Sequence, residues 1–303
     1  MPSTSPTSAL QLACPALCGL GESPLWSVQE QCLYSIDIAE RQVLRLRPES
    51  GDLQRWSLRE EPGCIALIEG GGLLVAQRDG LWRLDVRSGE LQHVAAAPYD
   101  PARQRFNDGR VDAAGRFWVG TLDDAREAHA HLYRFEAGAF EPMAGGIANS
   151  NGLAWSPDQR VLYWADTKGH QIWAYDFDLA HGRLGQRRLF AAFEPRAAGQ
   201  PLETYLGRPD GAAVDEQGCY WVAMYEGQRL LRLSPAGQVL STLHLPVRCP
   251  TMPCFGGPDL RTLYITTARQ GRPPAELEAQ PWAGGLLQLR VDVPGLAAHQ
   301  VRL

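Results

Sequence analysis

Four short polar stretches hold the residues best suited to chemistry: Gly21-Glu22-Ser23-Pro24, Arg105-Phe106-Asn107-Asp108-Gly109, Ser150-Asn151-Gly152 and Pro209-Asp210-Gly211. They supply carboxylates at Glu22 and Asp210, carboxamides at Asn107 and Asn151, and a permanent cation at Arg105. If brought together, Glu22, Asn151 and Asp210 form an all-oxygen ligand set. Such a set suits one hard divalent cation, Ca²⁺, Mg²⁺ or Mn²⁺, and also admits Zn²⁺. Two carboxylates held close repel each other, and a cation between them removes that penalty. Singly, these dipeptides say little, because Asn-Gly and Asp-Gly are ordinary turn formers. Glu is not a turn former, so Glu22 at the corresponding place in its own stretch carries more information.

The stretches correspond because the chain repeats. Each opens a unit of short apolar, aromatic-rich segments: 116–120 and 131–135 behind Asn107, 161–166 and 171–176 behind Asn151, 219–223 and 229–233 behind Asp210. Units begin at Glu22, Cys64, Asn107, Asn151, Asp210 and Thr251, at spacings of 42, 43, 44, 59 and 41 residues. A period in the low forties, four short strands per unit and no long helix predict an all-β six-bladed β-propeller. A β-sandwich is the competing fold but leaves the period unexplained. Residues 1–10 read as a flexible tail and 11–303 as one propeller domain, with 11–14 expected to pair with the C-terminal strands and close the ring. The one long spacing contains residues 194–201, an expected inserted loop at a rim. Rotational equivalence would aim the polar turn opening each innermost strand into the channel. Glu22, Asn107, Asn151 and Asp210 then converge on one axis, as a central metal site.

Composition bounds the partners. The formal net charge of −5 argues against nucleic acid or an anionic membrane surface. No apolar run approaches the roughly 20 residues that span a bilayer. Residues 1–8 have neither the basic nor the apolar region of a signal peptide, so a cytoplasmic location is expected. Seven cysteines, an odd number in a long chain, read as reduced and mostly buried. A propeller closes its own edges, which predicts a monomer or weak oligomer.

Five motifs in order, G-E-S-P-L-W (21–26), R-F-N-D-G-R-V-D-A-A-G-R-F-W-V-G-T (105–121), S-N-G-L-A-W-S-P-D (150–158), R-P-D-G (208–211) and F-G-G-P-D-L-R-T-L-Y-I-T (255–266), resemble the SMP-30/gluconolactonase family of regucalcin-like sugar lactonases. The resemblance implies that Glu22, Asn151 and Asp210 bind one divalent metal, with Asn107 beside it and Arg105 holding substrate oxygens. It implies a small-molecule sugar lactone as substrate, opened with metal assistance, and Asp210 as candidate general base. Some relatives carry a Glu shortly after the G-T that ends the second of these motifs. Here Asp124 is the expected substrate-facing carboxylate, with a solvated loop charge as the alternative.

Other features point elsewhere. His129-x-His131 could present two imidazoles on one strand face, but the run around it reads as a loop. No Gly-x-Ser-x-Gly elbow supports a serine hydrolase. Cys64, Met252 and Phe255 are expected at the channel mouth from their repeat position. Two other functions use the same scaffold: a hydrolase of non-sugar lactones or organophosphorus esters, and a non-catalytic binding propeller, for which residues 162–166 (L-Y-W-A-D) offer a parallel.

Overall fold

A computed structural model describes residues 9–303, and most of the expected tail (1–8) lies outside the described residues. The repeat folds as six four-stranded antiparallel sheets. The innermost strands of blades one to six are Gly21–Ser27, Pro62–Leu67, Gln104–Val111, Ser150–Trp155, Arg208–Val214 and Pro250–Gly256. All six unit starts read from the sequence fall within them. Ser150–Trp155 and Pro250–Gly256 are buried throughout, while the outer strands Arg183–Ala192 and Val239–His244 are largely exposed. That gradient follows from sheets packed face to face around an axis. Apolar side chains interdigitate between neighbours, such as Trp118 of blade three with Trp155 and Trp164 of blade four.

The ring closes as expected. Gln11–Leu17 adds to the last blade beside Gly285–Arg290, with Gln11 opposite Gln288 and Leu12 opposite Leu287. First and last segments thus share one sheet, which ties the ring shut and covers the edge of Gly285–Arg290.

The catalytic-looking stretches are not turns. Every innermost strand carries a register shift at the same place: Glu22/Leu25, Pro62/Cys64, Phe106/Gly109, Asn151/Ala154, Pro209/Ala212 and Pro250/Met252. Asn-Gly and Asp-Gly, read as turns, are β-bulges inside strands. A regular strand alternates its side chains between faces, whereas a bulge re-aims one and bends the strand. The glycines fit this role. Gly152 has φ of 60°, and a Cβ there would overlap the Tyr220 hydroxyl, which itself donates to the Gly152 carbonyl at 2.7 Å. A Cβ on Gly211 would meet Met252 of the next blade.

Asp112 of the long second motif braces a hairpin instead of serving the site. It is fully buried, and its carboxylate accepts from Arg116 Nε at 2.7 Å and Trp118 Nε1 at 2.9 Å. Asp215 does the same in blade five with Trp221 and Arg232.

The two channel ends differ. The C-terminal segment crosses the ends where the inner strands finish: Gly295 bridges Asp215, and Val301 bridges Ile68. A cavity there is lined by Trp26, Trp155, Met252 and Phe255. Met252 and Phe255 therefore border the end away from Glu22 and Asp210, contrary to the sequence expectation, and Cys64 is fully buried against Gly109. Their side chains lie beyond the bulge, which reverses the face that a simple repeat count assigns. The inserted loop runs between Ala192 and Arg208. Its Tyr205 hydroxyl lies 2.7 Å from His170 Nε2, and Arg248 donates to the Leu202 carbonyl at 3.1 Å.

Gly152→Ala combines left-handed backbone with steric overlap at a blade interface. It is expected to cost about 2 kcal/mol or more, read as a lower urea midpoint at unchanged slope. A change within about 0.5 kcal/mol would remove the role given to this glycine.

Candidate active site

Where the innermost strands begin, a cavity of about 200 Å³ is lined by Glu22, Arg105, Asn107, Asn151 and Asp210. Four blades contribute these residues, so the convergence read from the repeat is present. A directional hydrogen-bonded chain joins most of them. Arg105 Nη1 donates to Asn107 Oδ1 at 2.8 Å, Asn107 Nδ2 to Asn151 Oδ1 at 2.9 Å, and Asn151 Nδ2 to Asp210 Oδ1 at 2.6 Å. Asn107 Nδ2 also lies 2.8 Å from the Ser150 carbonyl and 3.1 Å from Asn149 Oδ1, and Asn151 Nδ2 lies 2.8 Å from Thr167 Oγ1. Glu22 accepts from the Ser23 backbone N–H at 3.0 Å.

The electrostatics are unbalanced toward negative charge at the floor. Burial, and then the neighbouring Asp210, push the Glu22 carboxyl well above its ordinary range. Burial also raises Asp210. The Arg208 charge opposes that rise, and Asp108 adds to it. Asp108 sits beneath, buried, accepting from the Leu153 N–H at 2.8 Å, and burial lifts it to about 6. One of its oxygens has no hydrogen-bond partner. Asp108 stood in the sequence motif without a role, and its proximity to the other two carboxylates is visible only in three dimensions.

The rim adds residues not singled out from sequence: Arg126, Asn149, Thr167, Lys168, Arg208 and Tyr225 line the same cavity. Arg208 had a signal, standing two residues before Asp210 in R-P-D-G. It pairs with Glu226 at 2.5 Å and lies 4.9 Å over the Tyr225 ring. Arg126, Thr167 and Lys168 come from hairpin connections, Asn149 from the link between blades three and four, and Tyr225 from the end of the strand Tyr220–Tyr225. Asp124 is not brought to this cavity. It is 44% exposed and paired with Arg78 at 2.9 Å, because the turn after Asp123 points it across to blade two. Arg126, two residues on, takes the cavity-lining place.

His129 and His131 do not form an imidazole pair. His131 Nδ1 lies 2.9 Å from the His129 carbonyl, whereas His129 Nδ1 lies 3.0 Å from Asp123 Oδ2 and 3.5 Å from Glu127 Oε2. Asp123, Glu127 and His129 bring ligand atoms within 4.8 Å of one another, away from the Glu22–Asp210 floor. All seven cysteines are free thiols, six of them buried. Among the described residues no helix is long and apolar enough to cross a membrane.

The raised Glu22 and Asp210 pKa values fix the sign of a pH effect. With chelator present, the folded protein holds more protons than the unfolded chain above the ordinary carboxylate range, about pH 4. The stability these groups contribute is complete below that range and is lost as pH rises through their folded pKa values. The Tm of chelated protein is therefore expected to fall from about pH 5 toward neutrality, and Asp210→Asn to flatten the fall. An Asp210→Asn curve parallel to the unsubstituted one would contradict this reading of the floor.

Comparison with known proteins agrees with the fold. The SMP-30/Gluconolactonase/LRE-like region profile matches residues 20–269. The chain is 46% identical over 280 residues to 6-deoxy-6-sulfogluconolactonase of Pseudomonas putida, covering 92% of this chain and 93% of that protein. It is 34% identical to regucalcin of Sus scrofa, covering 93% and 94%. The crystal structure of a calcium-binding regucalcin from Agrobacterium tumefaciens superposes with a TM-score of 0.90 at 25% identity, over 97% of this chain and 98% of that one. With a profile spanning most of the chain and these relatives along nearly its full length, this six-bladed propeller belongs to the SMP-30/gluconolactonase/LRE-like family.

Proposed function

We propose that the protein is a divalent-cation-dependent lactonase that hydrolyses a sugar lactone to the corresponding aldonic acid. The observation that carries this reading is the set of acids and amides from separate blades gathered on one cavity floor. Binding a protein partner would not require two mutually repelling carboxylates there. The reading is also supported by the Pseudomonas relative, whose name specifies a lactone substrate.

The floor residues fit a hard cation. Burial raises both Glu22 and Asp210, and the Asp210 charge raises Glu22 further, a penalty that a bound cation would offset; Asn151 adds an amide oxygen already oriented by Asn107. Glu22, Asn151 and Asp210 would hold the ion. Ca²⁺ is the first candidate, by analogy with the calcium-binding Agrobacterium neighbour, followed by Mg²⁺, Mn²⁺ and Zn²⁺. When bound, such an ion polarises a carbonyl and acidifies water.

The chain's own groups do the rest. Arg105 and Asn107 orient the lactone so that its carbonyl carbon faces the floor, converting binding into proximity. Water adds to that carbon, Asp210 takes the proton released, and the ring C–O bond breaks. The proton then passes to the departing ring oxygen, leaving a carboxylic acid and a hydroxyl. The hydrogen bond that one Asp210 oxygen accepts from Asn151 supports giving the proton-moving role to the other.

Acid release from D-glucono-1,5-lactone and from pentono- and hexono-1,4-lactones tests the proposal, measured with a pH indicator on chelator-stripped protein with each cation added back. Activity is expected only with a divalent ion, and Asp210→Ala is expected to lower kcat/KM by roughly 100-fold or more. Full activity in stripped protein, or in folded Asp210→Ala, would sink the mechanism. No hydrolysis of any lactone with any ion would sink the function.

A further inference from the structure

Cations crowd one side of the cavity. Arg105 and Arg126 come from blade three, Lys168 from blade four and Arg208 from blade five, against two floor carboxylates, Glu22 and Asp210. Blade one, opposite blade four in the ring, lines the cavity with Leu20 and Ile38 besides Glu22. This positive sector stands out in a chain whose formal net charge is −5.

Two of these cations are already committed. Arg105 is held by Asn107 and the Phe106 carbonyl, and Arg208 by Glu226, which Arg272 also bridges. The other two are not. Among the described residues, the side chains of Arg126 and Lys168 have neither a hydrogen bond nor an ion pair. Neighbouring acids are engaged elsewhere: Asp124 with Arg78, Glu127 with His129, and Glu203 with Arg248.

Both free cations sit on braced turns. The Arg126 N–H donates to the Asp123 carbonyl at 2.9 Å with φ of 61°, and the Asp123 carboxylate holds the Ala125 N–H at 3.1 Å. The Lys168 N–H donates to Asp166 Oδ1 at 3.2 Å, and the same oxygen takes the Asn149 N–H at 3.3 Å. Asp123 and Asp166 are themselves buried. Two unpaired cations are thereby kept at the rim, above a floor that would hold the reacting carbonyl. A divalent ion on the floor would offset the two carboxylates and leave the positive excess larger still.

We propose that the substrate is an aldonolactone carrying a terminal oxyanion, and that Arg126 and Lys168 receive this group at the rim over blades three and four. The shared chemistry is a sulfonate, phosphate or carboxylate at the end of the sugar remote from the lactone carbonyl. A neutral polyol needs donors and acceptors but gives no use for two unpaired cations, whereas an oxyanion makes charge-assisted hydrogen bonds with both and is drawn in by the field. The inference rests on the lactonase reading and narrows its substrate.

The test compares glucono-1,5-lactone with its 6-sulfonate and 6-phosphate counterparts and with a 6-carboxylate lactone, on unsubstituted enzyme, Arg126→Gln, Lys168→Gln and the double variant, with Arg126→Lys and Lys168→Arg as conservative controls. Unsubstituted enzyme is expected to favour at least one anionic lactone by about 10-fold or more in kcat/KM. That ratio should fall toward unity in the double variant, recover in the conservative controls, and shrink as salt rises. The ranking of the three anions identifies which oxyanion the rim accepts. Equal kcat/KM for neutral and anionic lactones in unsubstituted enzyme would overturn the inference and leave the lactonase reading standing. If no lactone is hydrolysed, the lactonase reading fails, and calorimetry with the open-chain 6-phosphogluconate and gluconate decides the rim separately. Preference for the anion, lost in the double variant, would support it, and equal binding would overturn it.

Discussion

A carboxylate buried beside two others is the constraint around which this molecule is built. Asp210 lies within electrostatic reach of Glu22 and Asp108; Asp210 and Asp108 are buried, and Glu22 is half-buried on the cavity floor. Gathering such groups works against folding, because desolvated charge is tolerated only when it is hydrogen-bonded or paired. The surrounding scaffold must therefore gain its stability elsewhere. Six apolar blade interfaces and a ring closed by its own N-terminal strand supply it, so that the axis can carry residues a packed core would reject.

The chain from Arg105 through Asn107 and Asn151 to Asp210 has a direction. A guanidinium only donates and a carboxylate only accepts, so fixing the two ends fixes both amides between them. Each amide turns its oxygen toward blade three and its nitrogen toward blade five. The chain also crosses three blades, which makes the geometry of the floor depend on how those blades dock. Polar networks of this kind are high-stakes, since one missing member leaves buried partners unsatisfied.

Much of this was legible in the sequence, and the misses have physical causes. The period and the aromatic strands identified six blades because each unit must bury the same faces. Glu22, Asn107, Asn151 and Asp210 were legible as a set because rotation carries equivalent positions to one axis. The bulges were not legible, since Asn-Gly and Asp-Gly look the same in a turn and in a bulged strand. Missing the bulge also misplaced Met252 and Phe255, which line the opposite end. Asp124 and Arg126 show the limit most clearly. In a short turn, which of two neighbouring side chains faces the cavity depends on a backbone angle, here the positive φ of Arg126, that residue type does not announce.

The repeat and its exceptions do different jobs. All six inner strands are bulged at the same place, yet the polar side chains of the floor come from blades one, three, four and five. In blade two the corresponding position is closed: a Cβ on Gly63 would collide with the backbone of Phe106. In blade six Thr251 turns its hydroxyl to the Gly21 carbonyl at 2.6 Å and to Thr266 at 2.8 Å, spending its polarity on the neighbouring blade. Symmetry thus builds the channel and sets the aim of six positions, and breaking it decides which of them stay open. A lactone has one carbonyl and two unlike ends, and the floor is lopsided in a matching way: Asn107, Asn151 and Asp210 follow one another on blades three to five, and Glu22 faces them alone between the two closed positions.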